Sequence, residues 1–198
     1  MGKSQQERSF MIRFCFKPSC AKAQIKRCFM STIIVMLLFI LSALISGRAM
    51  ADENESEYMF LQAKHSGKCA QVDEASNANG ANISQWDCLN QDNVKWKWIK
   101  AGGGYVFLKA QHSGKCAQVN EASSANGASI TQWDCVDQDN VKWAFRVVER
   151  SNGAKYYNIV NKASGKCMQV NEASMVNHAS ISQWDCVNQD NVKWRLFE

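Results

Sequence analysis

Three tryptophans stand in the same polar setting and are the residues of this chain best placed to contact a ligand. Trp86, Trp133 and Trp184 each follow a Gln and precede Asp and Cys. In an extended segment side chains alternate, so each ring points away from the face that holds Ile83 or its equivalent. An outward indole offers a flat apolar surface to a ligand. The alternative is that each ring only packs against a cysteine bridge.

The same setting provides no recurring catalytic machinery. Nucleophilic catalysis needs a nucleophile beside a base, but His65 and His112 are matched by Ala163 in the third copy of the motif. His178 stands where the other two copies have glycine. We therefore predict that the protein is not an enzyme and needs no cofactor, and we interpret its histidines as solvated loop residues.

The tryptophans belong to a 32-residue unit that occurs three times, at residues 65–96, 112–143 and 163–194. The first and third copies match the middle copy at 26 and 25 positions, so the repeat decides the architecture. The copies are 47 and then 51 residues apart. The four extra residues fall between Trp143 and Tyr156, in a hairpin loop where insertions cost little.

Each unit predicts four short strands, because runs of β-forming residues alternate with turn residues. The first unit has them at residues 58–64, 68–72, 83–88 and from 94 through 98. The chain has one proline and no long helical periodicity. Three such units must share one core around a pseudo-threefold axis, which predicts an all-β fold, a β-trefoil. We place it at residues 58–198, with repeats at about 58–104, 105–155 and 156–198.

Alternation along the predicted strands assigns side chains to the core. In the fourth strand Val94 and Trp96 share the inner face, while Lys95 and Lys97 point outward. In the third strand Ile83 and Gln85 share one face, and Ser84 and Trp86 the other. We predict that the core tryptophans are Trp96, Trp143 and Trp194, with Trp98 at the edge of the core.

Six of the nine cysteines lie within the repeats, two per copy and always 19 residues apart. An even number at fixed spacing in an exported chain implies disulfides. Of fifteen possible connectivities the repeat selects one: Cys69–Cys88, Cys116–Cys135 and Cys167–Cys186. Each bridge closes a loop worth roughly 3 kcal/mol on the chain-entropy model. A zinc site does not fit, because the spacing is not CxxC and no histidine recurs in all copies.

The first 51 residues have a different character. A basic lead, an apolar run from Ile33 to Ile45 and Ala49-Met50-Ala51 predict a signal peptide cleaved after Ala51, with Met30 as an alternative start of translation. An uncleaved anchor is the alternative. Without this segment the chain has 15 basic and 17 acidic residues, which excludes a phosphate-binding surface of nucleic-acid-binding type. We expect a secreted or periplasmic protein with a short acidic lead at residues 52–57 and no membrane span.

The repeated Ser-Gly-Lys-Cys, Gln-Trp-Asp-Cys and Asn-x-x-Trp motifs resemble the R-type lectins, the ricin B-chain-like family that overlaps family 13 carbohydrate-binding modules. The resemblance covers residues 58–198 and implies a β-trefoil lectin with up to three shallow sites for glycans. In that family an aromatic ring stacks on a galactose-type sugar and nearby polar groups bond its hydroxyls. The implied site residues are Gln71, Trp86, Asn93, Gln118, Trp133, Asn140, Gln169, Trp184 and Asn191.

Two positions depart from the family in all three copies. Gln71 and its equivalents replace an acid, and Val94 and its equivalents replace a glutamine. An amide binds hydroxyls more weakly than a carboxylate does. Either the ligand is not galactose, or Asp87, Asp92 or Glu74 supplies the acid, or the sites are inactive. A protein-binding β-trefoil, such as an inhibitor or toxin-associated subunit, is the second interpretation.

The third copy carries the largest local changes. Met175, Val176 and His178 replace the polar and glycine residues of the other copies. We therefore expect the site of Trp184, in the same copy, to be the weakest of the three or the most altered in specificity.

Overall fold

The computed structural model describes residues 57–198, so the predicted signal peptide and nearly all of the acidic lead lie outside the described residues. This part of the chain forms twelve strands and six short 3₁₀ turns. None of its helices is long and apolar enough to cross a membrane.

The strands are β1 (Met59–Ala63), β2 (Cys69–Val72), β3 (Ile83–Trp86), β4 (Lys95–Gly102), β5 (Tyr105–Ala110), β6 (Cys116–Val119), β7 (Ile130–Trp133), β8 (Lys142–Ser151), β9 (Ala154–Asn161), β10 (Cys167–Val170), β11 (Ile181–Trp184) and β12 (Trp194–Phe197). The 3₁₀ turns are Asp73–Ala75, Asp92–Val94, Asn120–Ala122, Asp139–Val141, Asn171–Ala173 and Asp190–Val192.

Six strands close into a ring. β1 pairs with β4, β4 with β5, β5 with β8, β8 with β9, β9 with β12 and β12 with β1, all antiparallel. Closure removes the unpaired edges that an open sheet exposes. The other six strands form the hairpins β2–β3, β6–β7 and β10–β11, one per repeat. Isolated bridges join these hairpins to one another. The predicted β-trefoil is confirmed.

Equivalent residues of the three repeats fill one core. Trp96, Trp143 and Trp194 are at most 2% exposed, and each indole Nε1 donates a 2.9 Å hydrogen bond to a backbone carbonyl of the second strand in its repeat. A buried indole needs such an acceptor, because an unpaired N–H in the core is costly. Trp98 packs against this core from its edge. Both predictions about the core tryptophans are confirmed.

The start of the fourth strand differs from the prediction. Val94 is buried as expected, but it ends the 3₁₀ turn Asp92–Val94, and the strand begins at Lys95. Lys142 and Lys193, equivalents of Lys95, are only 8% and 7% exposed rather than outward in solvent. The ammonium of Lys142 forms ion pairs with Asp137 and Asp139, and that of Lys193 with Asp190 and Glu149, which lets the apolar stems lie buried.

The third strand also buries more than alternation predicted, and it ends at Trp86 rather than at Cys88. Ser84, expected to face outward, is 1% exposed because its hydroxyl donates to the carboxylate of Asp73. Gln85 is fully buried, on the predicted face with Ile83. The strand is therefore covered on both faces until its last residue.

The cysteines pair within each repeat as predicted, with a Cα–Cα distance of 5.1 Å in every bridge. The four extra residues lengthen the β8–β9 hairpin. This hairpin turns at Asn152 and Gly153, which have φ of 48° and 77°. Positive φ at both central residues is what a two-residue type I′ hairpin requires. The insertion thus stays outside the threefold core.

Candidate functional site

Three shallow depressions lie on the surface, one per repeat, and each is lined by one predicted Gln, Trp and Asn. Their volumes are about 740, 340 and 640 Å³ in the first, second and third repeats. Sites for small molecules span about 300–1,000 Å³, so each depression suits a ligand of that size. The three sets are Gln71, Trp86 and Asn93; Gln118, Trp133 and Asn140; and Gln169, Trp184 and Asn191.

The tryptophans form the apolar wall of these depressions. Trp133 and Trp184 are 39% and 40% exposed, while Trp86 is half-buried. Each is the last residue of its strand, directly before the loop that carries the second cysteine of the bridge. The rings therefore keep solvent access at a position that the β-sheet and the disulfide hold in place. Such a surface can stack on the apolar face of a ligand.

The asparagines form the polar floor. Asn93, Asn140 and Asn191 are 8%, 5% and 5% exposed. In each one Nδ2 donates 3.0 Å to the carbonyl of the valine that ends the second strand. A longer bond of 3.2–3.4 Å goes to the Oε1 of Gln71 or its equivalent. The amide N–H groups are thus used internally, which leaves Oδ1 as the acceptor atom of each asparagine. The Oδ1 of Asn191 is buried and has no hydrogen-bond partner within residues 57–198.

The glutamines at the position of the family acid belong to the same floor. Gln71, Gln118 and Gln169 are 5–7% exposed. The Nε2 of each donates 3.3–3.4 Å to a hydroxyl of the third strand. Each glutamine therefore joins its asparagine to the strand that carries the tryptophan, so the first effect of these residues is to fix the shape of the floor.

A strained turn forms part of the lining of each depression. Glu74 and Ala75 have φ of 55° and 48°, and their equivalents in the other two repeats have the same left-handed conformation. Such values are uncommon outside glycine and indicate that tertiary structure imposes them. The residues line the depressions. This feature cannot be predicted from the sequence, because Glu-Ala-Ser contains no residue that favours positive φ. Gln91, Gln138 and Gln189, which also line the depressions, are not among the predicted site residues.

The three candidate acids are placed differently. Glu74 and Asp92 line the first depression. Asp87 instead accepts bonds from the ammonium of Lys68 at 2.6 Å and from the amide of Asn177 at 3.1 Å. The Lys68 bond, followed by the Asn177 bond, lowers the pKa of the Asp87 carboxyl below its usual value. This carboxylate holds the loop after the tryptophan rather than facing the depression.

A loop from another repeat packs beside each of the three tryptophans. We name residues 76–81, 123–128 and 174–179 the first, second and third tip loops. Gln132 Nε2 donates 2.6 and 2.9 Å to the carbonyls of Ser76 and Ala78 in the first tip loop. The same contacts join Gln183 to the second tip loop and Gln85 to the third. Each tip loop therefore packs on the third strand of another repeat, beside the tryptophan of that repeat.

This packing corrects the expectation for the third site. The third tip loop, with Met175, Val176 and His178, lies at the site of Trp86 and not at that of Trp184. The His178 and Trp86 ring centroids are 4.3 Å apart with an interplanar angle of 64°. The site of Trp184 receives Gly127 of the second tip loop. The altered site is therefore the first.

The interpretation of His65 and His112 as solvated loop residues is wrong. Both are half-buried, and their Nε2 atoms lie 2.9 Å from the carbonyls of Ser174 and Ser76, at the start of a tip loop from another repeat. They hold repeats together, and Ala163 lacks this contact in the third copy. His178 is solvated as predicted, with 61% of its side chain exposed. It nevertheless lines the first depression. Within residues 57–198 no cluster of potential ligands could hold a metal ion.

Comparison with known proteins gives a consistent picture. Residues 48–133 and 139–198 match the ricin-type β-trefoil lectin domain-like family. The designed threefold-symmetric protein ThreeFoil is 38% identical, with a TM-score of 0.67 over 71% of this chain and 98% of its own. The exo-β-1,3-galactanase 1,3Gal43A of Clostridium thermocellum is 28% identical, with a TM-score of 0.66 over 74% of this chain but only 30% of the galactanase. The Rhizoctonia solani agglutinin has the same fold at 16% identity, with a TM-score of 0.63 over 72% of this chain and 95% of its own. No curated protein sequence matches the chain significantly.

Proposed function

The chain belongs to the ricin-type β-trefoil lectin domain-like family, and from this membership we propose that it binds carbohydrate at three sites centred on Trp86, Trp133 and Trp184. One observation carries the proposal. An indole with solvent access and a buried carboxamide floor occur together three times, at equivalent positions and in depressions of suitable size. A core needs neither an exposed indole nor a polar floor at these positions.

The proposed binding mode uses both parts of each site. The apolar C–H face of a sugar stacks on the indole, which supplies contact area. Hydroxyls then face the polar floor, where the Oδ1 of Asn191 is buried without a hydrogen-bond partner within residues 57–198, so a sugar bonds it only after a small shift of the floor. Glutamines in place of the family acid make each hydroxyl bond weaker. We therefore propose weak individual sites and strong binding only to ligands that engage several of them.

We propose a galactose-type sugar as the first ligand to test. The support is the 28% identity to part of an exo-β-1,3-galactanase, together with the resemblance of the Trp and Asn positions to those of galactose-binding R-type lectins. We propose binding rather than catalysis, because no nucleophile–base pair recurs in the three depressions. The chain corresponds to 30% of the galactanase, so the activity of that enzyme is not carried over.

A glycan array tests the function directly. We expect residues 52–198 to bind one or a few related glycans, and the Trp86→Ala/Trp133→Ala/Trp184→Ala variant to bind none while keeping its fold. Far-UV circular dichroism and the thermal midpoint check that fold. A folded triple variant that binds glycan like wild type contradicts these sites. A wild-type protein that binds no glycan but captures a protein partner favours the protein-binding alternative.

We also propose export with cleavage after Ala51. The basic lead, the apolar run from Ile33 to Ile45 and the small residues before Asp52 support it. Three disulfides in residues 57–198 fit an oxidising compartment. N-terminal sequencing of the exported protein should begin at Asp52. A membrane-bound product that retains the apolar run is evidence for the anchor instead.

A further inference from the structure

Besides the lining of its depression by Leu89 and His112, three differences separate the first site from the other two. His178 stands beside Trp86, where the other sites have a glycine of the tip loop. Asp73 replaces the Asn120 and Asn171 of the other repeats. The third difference concerns Asp92. Because the first site departs at several positions while the other two agree with each other, its ligand preference need not be theirs.

Asp92 differs from its equivalents in the charge that another repeat places beside it. The equivalent aspartates are neutralised across repeats: Lys64 lies 3.0 Å from Asp190 and Lys162 lies 2.9 Å from Asp139. In the middle repeat this lysine is Gln111. Asp92 consequently has no ion-pair partner within the part of the chain that the structure describes, and it lines the first depression.

His178 is held in a position that a ligand can reach. Its φ of 67° is a left-handed value that the glycines at the same position also have. One edge of the imidazole packs on Trp86, and Nδ1 lies 3.8 Å from Asp73 Oδ1. With 61% of the side chain exposed, the ring stands at the rim of the depression with part of it open to solvent.

The glycines leave the other two sites without this wall. At Gly127 a Cβ would lie 4.0 Å from the indole of Trp184, which is ordinary van der Waals contact. A Cβ at Gly80, in the first tip loop, would contact nothing. A side chain at the Gly127 position therefore has room beside the indole, and the missing imidazole is a difference of sequence rather than of space.

Building on the proposed function, we propose that His178 is a specificity-determining residue of the first site. A sugar stacked on Trp86 contacts the imidazole, whose ring nitrogens can bond a hydroxyl at a point where the other sites offer no side chain. The carboxylates of Asp73, Glu74 and Asp92 disfavour an anionic sugar. The first site therefore prefers neutral sugars and has its own order of affinities for them. The second and third sites share a different order of affinities.

The test uses variants of residues 52–198 that each keep one site. Trp133→Ala/Trp184→Ala keeps the first, Trp86→Ala/Trp184→Ala the second and Trp86→Ala/Trp133→Ala the third. Calorimetric titration compares galactose, N-acetylgalactosamine, glucose, N-acetylglucosamine, mannose and glucuronic acid. We expect the second-site and third-site variants to rank these sugars alike, and the first-site variant to rank them differently and to bind glucuronic acid worst.

A reciprocal exchange assigns the difference to His178. His178→Gly in the first-site variant should change its affinity for the preferred sugar by about three- to tenfold, the worth of one hydrogen bond. Gly127→His in the third-site variant should move its ranking toward that of the first. His178→Ala is the matched control, since alanine keeps a Cβ at this position but has no hydrogen-bonding atom in its side chain, and Ala75 shows that this chain can hold alanine at positive φ. It should behave like His178→Gly.

The possible outcomes separate the role of His178 from the lectin function itself. One ranking in all three variants, unchanged by His178→Gly, overturns the inference and leaves the lectin function standing. Folded wild-type protein that binds none of the sugars and no glycan overturns the proposed function, and the inference with it. If the first-site variant alone is silent, restored binding in its His178→Gly form supports selection by His178, and continued silence counts against it.

Discussion

The two sets of tryptophans show how one repeat separates stability from recognition. Trp96, Trp143 and Trp194 are at most 2% exposed, and their N–H groups bond backbone carbonyls of their own repeats. The other set, ten residues earlier in each repeat, ends the third strands and keeps up to 40% exposure. We call these the core set and the rim set. Both belong to the same threefold arrangement, but only the rim set faces a space that a ligand can enter.

Symmetry is kept differently in the two regions. The core indoles belong to one cluster of buried side chains drawn from all three repeats, so a change in one of them disturbs the packing of the others. The rim indoles keep access to solvent, and a tip loop of another repeat lies beside each of them. Sequence differences therefore accumulate at the rim, where Met175, Val176 and His178 alter one site and leave the other two alike. A repeat protein of this kind can change its recognition site by site without changing its core.

The sharpest contrast comes from removing one indole of the core set. Trp143→Ala should lower the free energy of unfolding by about 3–5 kcal/mol, because a buried aromatic side chain leaves a cavity. Denaturant unfolding followed by circular dichroism measures the loss. Trp133→Ala is the matched control from the rim of the same repeat. Equal losses in the two variants contradict the division between core and rim.

The disulfides connect the two regions, since each joins the buried start of a second strand to the loop after a rim tryptophan. Replacing Cys116 and Cys135 by alanine should cost roughly 3 kcal/mol, because an open chain regains loop entropy in the unfolded state. Chemical denaturation of the double variant measures it. Non-reducing peptide mapping of wild type should find three bridges within repeats. A bridge between repeats contradicts the structure.

Loss of one rim tryptophan should change binding more than stability. Trp133→Ala removes a side chain that is 39% exposed, so we expect the free energy of unfolding to fall by only about 1 kcal/mol. Binding to a multivalent glycan should fall by more than one third, since avidity is lost along with a site. Surface plasmon resonance on an immobilised glycan identified by array measures this. A proportional loss of one third indicates that the sites act independently.

Much of the fold follows from the sequence because the signals are local and repeated. The spacing of Cys69 and Cys88 recurs in every copy and fixes each hairpin to its own repeat. The burial of Trp96 follows from its place in an apolar strand of the repeat. The left-handed turn at Glu74 could not be predicted, because no residue there favours positive φ and only tertiary contacts impose it.

The composition of each site could be predicted only in part, for a different reason. Periodicity identifies equivalent residues in three repeats, but it does not say which of two symmetric neighbours a loop packs against. The sequence alone therefore predicts that the third tip loop lies beside the tryptophan of its own repeat, Trp184. The contact of Gln85 with the carbonyls of Ser174 and Val176 decides the direction of packing. The same ambiguity hid the role of His65 and His112, whose partners lie in other repeats.

The smallest expected effect lies where core and rim meet, at the aspartates that follow the rim tryptophans. Asp87, Asp134 and Asp185 each accept bonds from a lysine of their own repeat and an asparagine of another tip loop. In each case the lysine bond, followed by the asparagine bond, lowers the carboxyl pKa below its usual value. A carboxyl with a lowered pKa in the folded state stabilises the protein at pH values above its unfolded pKa, which is about 3.9 for Asp. That contribution is lost as the pH falls through the folded-state value.

We therefore expect wild-type protein to lose stability as the pH is lowered from 6 to 3, and the Asp87→Asn/Asp134→Asn/Asp185→Asn variant to lose less over the same interval. At pH 6 the variant should be slightly less stable than wild type, because exposed ion pairs contribute little. Thermal unfolding at each pH measures both effects. Repeating the series in 1 M salt should shrink the difference, since salt screens exposed charges. Identical acid profiles in wild type and variant would mean that these bonds position the loops without stabilising them, and the link between rim and core would then rest on the disulfides and backbone contacts.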